Sequence, residues 1–125
     1  MKKKDTIAIV TNKKQHFSEV ARTLETAYGW TIRWVDSAEK ATELAEKSPP
    51  ELMVIDEPVD GLSNIRIARD IVMANPMLNL ALVSALPTEI FHQATEGLGV
   101  AAQLPPWPKK EDALRLMETI EKICL

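Results

Sequence analysis

The feature that most constrains this chain is a strict alternation of short apolar runs with amphipathic stretches of helical length. The runs lie at Ile7 to Val10, Trp30 to Val35, Leu52 to Ile55, Leu80 to Val83 and Val100 to Leu104. The first, third and fourth are almost unbroken in apolar residues, the pattern of strands covered on both faces. Between and after them the apolar period is helical. Phe17, Val20, Ala21, Leu24 and Tyr28 form one stripe; Ala38, Ala41, Leu44 and Ala45 a second; Ile65, Ala68, Ile71 and Val72 a third; Leu114, Met117, Ile120 and Ile123 a last one. Asp36 with Glu39 has the spacing of a capping box, and Ser63 is placed to cap the third helix. Gly29, Pro49 with Pro50, Pro76 and Gly99 fall between the periodic segments, where turns are needed.

Strict strand and helix alternation requires crossover connections, and these are right-handed, so the strands run parallel with helices on both faces. The expected fold is a single α/β domain over residues 1–125, a three-layer, doubly wound, flavodoxin-like (βα)5 arrangement with strand order 2-1-3-4-5; residues 1–5 are expected to be a mobile end. A length of 125 residues suits one hydrophobic core, and 46% hydrophobic with 26% charged residues is ordinary for a globular chain.

In such a fold chemistry gathers at the carboxyl ends of the strands, near the switch point between strands one and three. That edge receives Thr11, Asn12, Asp56 and Glu57, with Ser84 from strand four and Pro105 and Pro106 from strand five. Asp56 is the chemically provocative residue. A carboxylate there can attack a phosphoryl group, or simply cap a loop or the next helix.

Residues Ile55 to Asn64, Ile-Asp-Glu-Pro-Val-Asp-Gly-Leu-Ser-Asn, resemble without a gap the phosphoacceptor loop of response-regulator receiver domains, the CheY-like superfamily. Asn75-Pro76 and Leu82-Val83-Ser84-Ala85 continue the resemblance, as do Ile7-Ala8-Ile9-Val10, Gly99 and Leu104. It implies that Asp56 stands at the phosphoacceptor position and Ser84 at that of the switch hydroxyl. The family's acidic pair after strand one is Thr11 and Asn12 here, which offer only neutral oxygens to Mg²⁺. Glu57 is a candidate substitute, and Pro58 the carbonyl donor of the third ligand. The family's lysine after strand five is absent from Leu104-Pro105-Pro106-Trp107-Pro108, and Lys109 and Lys110 fall farther along, solvated at the start of the last helix. Gln103 replaces the strand-five aromatic, and Asp60 stands where the loop proline usually is, with Gly61 retained. The resemblance therefore implies a pseudo-receiver, without enzymatic activity, whose output no longer depends on phosphorylation.

Other chemistries are poorly supported. His16 and His92 lack partners at ligand spacing and are expected at the surface. No glycine lies between the first strand and first helix, so a flavin or dinucleotide phosphate loop is not expected. Cys124 is the lone cysteine, which excludes an internal disulfide and fits a reducing, cytoplasmic setting. No apolar stretch reaches the length of a membrane span. With a net charge of −3 and one basic run, Lys2 to Lys4, expected to be a solvated end, no nucleic-acid partner is expected. The sequence through Leu125 encodes no effector segment for direct DNA output, whether the chain is a whole protein or an excised domain.

Trp30 and Trp34 alternate on an edge-like strand, where they either pack under a helix in the core, the favoured expectation, or form part of an interface. Trp107, held between prolines, either anchors a partner or folds over the altered pocket. The expected function is a receiver-like signalling module that binds a protein partner, a histidine kinase or other signalling protein, or a second copy of itself. Gln103 and Trp107 are its candidate interface residues, and Pro106 an accessory pocket residue. No cofactor is expected. The alternative is a genuine phosphoacceptor taking phosphate on Asp56 with Mg²⁺ bound there; a third reading is a small-ligand sensor using the emptied pocket.

Overall fold

A computed structural model describes residues 6–124, with side chains through Lys122. The strands are β1 (Thr6–Val10), β2 (Thr31–Val35), β3 (Leu52–Ile55), β4 (Asn79–Val83) and β5 (Val100–Leu104), and the helices α1 (Ser18–Tyr28), α2 (Ala38–Lys47), α3 (Asn64–Ala74), α4 (Thr88–Ala94) and α5 (Lys110–Cys124). A short 3₁₀ turn, Lys14–Phe17, leads into α1. All strand pairs are parallel and the order is β2-β1-β3-β4-β5, the expected flavodoxin-like arrangement. The expectations for residues 1–5, for Lys2 to Lys4 and for the side chain of Ile123 fall outside the described residues.

The central strands are buried on both faces, as their unbroken apolar composition requires. Ala8, Val10, Met53, Ile55, Leu80 and Leu82 face α2 and α3. Ile7, Ile9, Leu52, Val54, Ala81 and Val83 face α1 and α5. Trp30 and Trp34 pack partly buried against this second core, and the Trp30 indole N–H donates to Met117 Sδ at 3.0 Å.

Several local expectations shift for identifiable reasons. β2 begins at Thr31 because Trp30 belongs to the cap of α1. Gly29 adopts φ 76°, its N–H donates to Glu25 O, and the Trp30 N–H donates to Leu24 O. This is a paired helix ending that only a left-handed residue permits without strain. The α2 cap is Ser37, whose Oγ accepts from the Lys40 N–H, and not Asp36. Asp36 instead pairs with Lys40 Nζ at 3.0 Å, which holds its exposed carboxyl below the ordinary carboxylate range. Ser63 does cap α3. The inward stripe of α3 gains Asn64 and Ile67, while Ile65 and Val72 are only partly buried. On α5 the stripe is Ala113, Leu116, Met117 and Ile120, a closer match to helical spacing that turns Leu114 outward. Tyr28, at the end of α1, is also exposed.

Candidate functional site

The carboxyl ends of β1 and β3 bring Thr11 and Asp56 into direct contact. The Thr11 hydroxyl donates to Asp56 Oδ2 at 2.7 Å, and both residues are buried. The Lys13 backbone N–H donates to Thr11 Oγ1 at 2.8 Å, so the hydroxyl proton is free to point at the carboxylate. Asp56 Oδ1 accepts from the Glu57 N–H at 2.7 Å. Both carboxylate oxygens therefore hold short bonds from neutral donors, the strong, charge-assisted kind.

Asn12 works differently. Its amide donates to Asp36 O at 2.9 Å and, more weakly, to Asp60 Oδ1 at 3.3 Å, while Asn12 Oδ1 accepts from the Asp60 N–H at 2.7 Å. Asp60 Oδ2 accepts from the Ala38 N–H at 2.9 Å, satisfying an unpaired donor at the start of α2. Asp60 sits at φ 55°, a backbone region that aspartate tolerates better than most residues. Asn12 and Asp60 thus clamp the β3–α3 loop onto the β1 end and α2. Nothing in the chain's periodicity marks Asp60 as the far half of this clamp, although its departure from the loop proline was the available signal.

Glu57 is exposed, and its Oε1 accepts from the Asn64 N–H at 2.7 Å, at the start of α3. Pro58 follows through a cis peptide bond and is exposed. Asn64, which the sequence reading placed only at the end of the matching loop, is buried and donates from one amide to Ile55 O at 3.1 Å and Val83 O at 2.8 Å. It ties the ends of β3 and β4 together beneath the site.

The β4–β5 end is built separately. Ser84 Oγ accepts from the Leu86 N–H at 3.1 Å, turning the hydroxyl into its own loop. The Gln103 amide donates to Ser84 O at 3.2 Å and Leu86 O at 2.9 Å, pinning that loop to β5. Pro105 and Pro106 are exposed, and Pro106 lines a shallow depression with Ser84, Gln103 and Arg115. Trp107 has φ 56° and stays 54% exposed. Its indole stacks on His16 with ring centroids 3.8 Å apart. His16 is accordingly half-buried rather than a free surface residue, whereas His92 is exposed. Lys109 and Lys110 are exposed and open α5: the Lys109 N–H donates to Asp112 Oδ2, and the Lys110 N–H to Glu19 Oε2, both at 2.7 Å.

The residues present do not fit a Mg²⁺ site. Such a site needs several hard, anionic oxygens. Here the neighbours of Asp56 are a hydroxyl that donates to it and an amide committed to Asp60, and the Glu57 carboxylate is engaged at α3. Among the described residues no group of three or more His, Cys, Asp or Glu side chains is placed to hold a metal.

The fold is that of CheY-like response-regulator receivers. The chain is similar to the chemotaxis response regulator CheY4 of Vibrio cholerae, with TM-score 0.80 and 13% identity over 94% of this chain and 99% of that one. A CheY-like receiver domain protein of Methanospirillum hungatei matches with TM-score 0.79 and 14% identity over 96% of each chain. The receiver domain of an HD domain-containing protein of Pseudomonas fluorescens matches at 0.76 and 16% over 98% of this chain and 90% of that one. No family model and no curated protein sequence matches the chain. No helix among the described residues is long and apolar enough to cross a membrane.

Proposed function

We propose that this chain is a receiver-like signalling module, not an enzyme, that binds a protein partner without being phosphorylated. The observation that carries the reading is the state of Asp56: buried, with both oxygens held by the Thr11 hydroxyl and the Glu57 N–H. Phosphoryl transfer requires positively charged groups to stabilise the developing charge, and the donors around this carboxylate are neutral. Asp56 then serves as a structural acceptor that fixes the β1 and β3 ends.

The surface presented by α4, β5 and α5 supports a binding role. Leu86 and Ile90 are exposed apolar side chains at its α4 side, and Trp107 stands exposed just past the end of β5. Trp107 is braced by His16 and flanked by prolines, so little side-chain freedom remains to be lost on contact with a partner. The partner is another signalling protein, a histidine kinase included, or a second copy of the chain.

The decisive test is intact-mass analysis after incubation with acetyl phosphate or beryllofluoride, with and without Mg²⁺, alongside Asp56→Ala. The expected result is no adduct on a folded protein. A Mg²⁺-dependent adduct that disappears in the variant would overturn this reading in favour of a phosphoacceptor.

A further inference from the structure

A cleft of about 880 Å³ follows the outer side of β2, from Thr11 and Asn12 at the carboxyl end to Lys47 and Ser48 at the end of α2. Among the described residues β2 is an edge strand, paired with β1 alone. The Val35 carbonyl accepts from the Thr11 N–H, so Val35 and Arg33 direct their backbone groups toward β1. Backbone alternation then turns the N–H and C=O groups of Ile32 and Trp34 outward, an open row of donors and acceptors.

The charge around this row is unlike that of the whole molecule. The chain has net charge −3, yet the cleft is lined by Lys14, Arg33, Lys40 and Lys47 against only Asp36 and Glu43. Those two carboxylates are already paired, Asp36 with Lys40 and Glu43 with Lys47. Among the described residues no carboxylate lies within ion-pair distance of Arg33 or Lys14. Lys14 Nζ instead lies 4.9 Å from the centre of the Trp34 ring. Arg33 shares the sheet face of Val35, which packs toward α2, while Trp34 packs toward the opposite core, so cations stand on both sides of the open edge.

We propose that this edge accepts an extended acidic segment of a partner protein, added in line as a further strand beside β2. Its backbone pairs with Ile32 and Trp34; its acidic side chains, alternating between faces, meet Arg33 on one side and Lys14 on the other. The site is separate from the α4–β5–α5 surface and does not depend on how Asp56 behaves.

The test uses the full chain and a fluorescein-labelled octapeptide of repeated Val-Glu-Glu-Thr, in which adjacent glutamates face opposite sides of a strand. Anisotropy is expected to report saturable binding, and hydrogen exchange to show slowed amides at Ile32 and Trp34. Arg33→Glu combined with Lys14→Glu is expected to weaken binding by about tenfold or more with an unchanged melting temperature. If that variant does not fold, the same octapeptide with its pairing amides N-methylated decides the matter on the native protein, by losing its binding. Absence of saturable binding, unslowed Ile32 and Trp34 amides, or undiminished binding of the N-methylated peptide would each overturn the proposal. So would citrate competing as strongly as the peptide, which would mark a site for small anions.

Discussion

The two halves of the carboxyl edge spend their polar groups in opposite ways. At β1 and β3, Thr11, Asn12, Asp56, Glu57, Asp60 and Asn64 each hydrogen-bond to another part of the chain. At β4 and β5, Ser84 Oγ turns back into its own loop and Gln103 pins that loop to β5, and beyond them Pro105, Pro106 and Trp107 are exposed. In the first half the polar groups act as scaffold, and the buried ones, Thr11, Asp56 and Asn64, find their partners within the chain. The second holds an aromatic surface in place without burying it. Substitutions should therefore cost stability in the first half and binding in the second.

Asn64→Ala offers the sharpest attack on that division. It strips the shared donor from the buried carbonyls of Ile55 and Val83, at an expected cost of about 2–3 kcal/mol in urea denaturation. A loss no greater than at an exposed position would erase the contrast. Thr11→Val keeps the shape and removes the donor to Asp56 Oδ2. Here roughly 1–3 kcal/mol should disappear, because a buried carboxylate loses a partner.

For the clamp, Asn12→Ala and Asp60→Ala, alone and together, form a double-mutant cycle. A coupling of about 0.5–1.5 kcal/mol is expected; additive losses would mean the two residues act independently. On the other half, Trp107→Ala should lower stability by only about 0.5–1 kcal/mol, the scale of an aromatic stack. Partner affinity, measured by calorimetry once a partner is in hand, should fall by more than that. Equal effects on folding and binding would dissolve the distinction.

The smallest effect concerns Asp36, whose carboxyl is held below its ordinary value of 3.8, first by the hydrogen bond from Lys40 and then by its charge. A depressed folded-state value means the pair stabilises α2 above the ordinary carboxylate range and loses that contribution as pH falls through the folded value. In Lys40→Ala the Asp36 titration midpoint, followed by carboxyl-carbon NMR, should move up toward 3.8. Because the pair is exposed, global stability should scarcely change.

Most of the fold was legible along the chain. Unbroken apolar runs in β1, β3 and β4 are too short for helices and read as strands covered on both sides, and helical stripes between them imply parallel crossovers. The places of Thr11, Asn12, Asp56 and Ser84 at one edge followed from that topology, because each stands at or just past the end of its strand. Periodicity also marked which helices face inward, less reliably at their ends, where Tyr28 and Leu114 turned out.

Only the tertiary structure decided what those residues do with their hydrogen bonds. That Thr11 donates to Asp56, that Asp60 bridges Asn12 and α2, and that Trp107 lies on His16 are pairings between residues 45, 48 and 22, and 91 positions apart. A strand pattern repeats every two residues and a helix pattern every 3.6, so local order fixes a side chain's face and not its partner. The partner is set by how the loops close over the sheet edge. There, polar groups that lose water must find one another, and the chain's own order does not say which will meet.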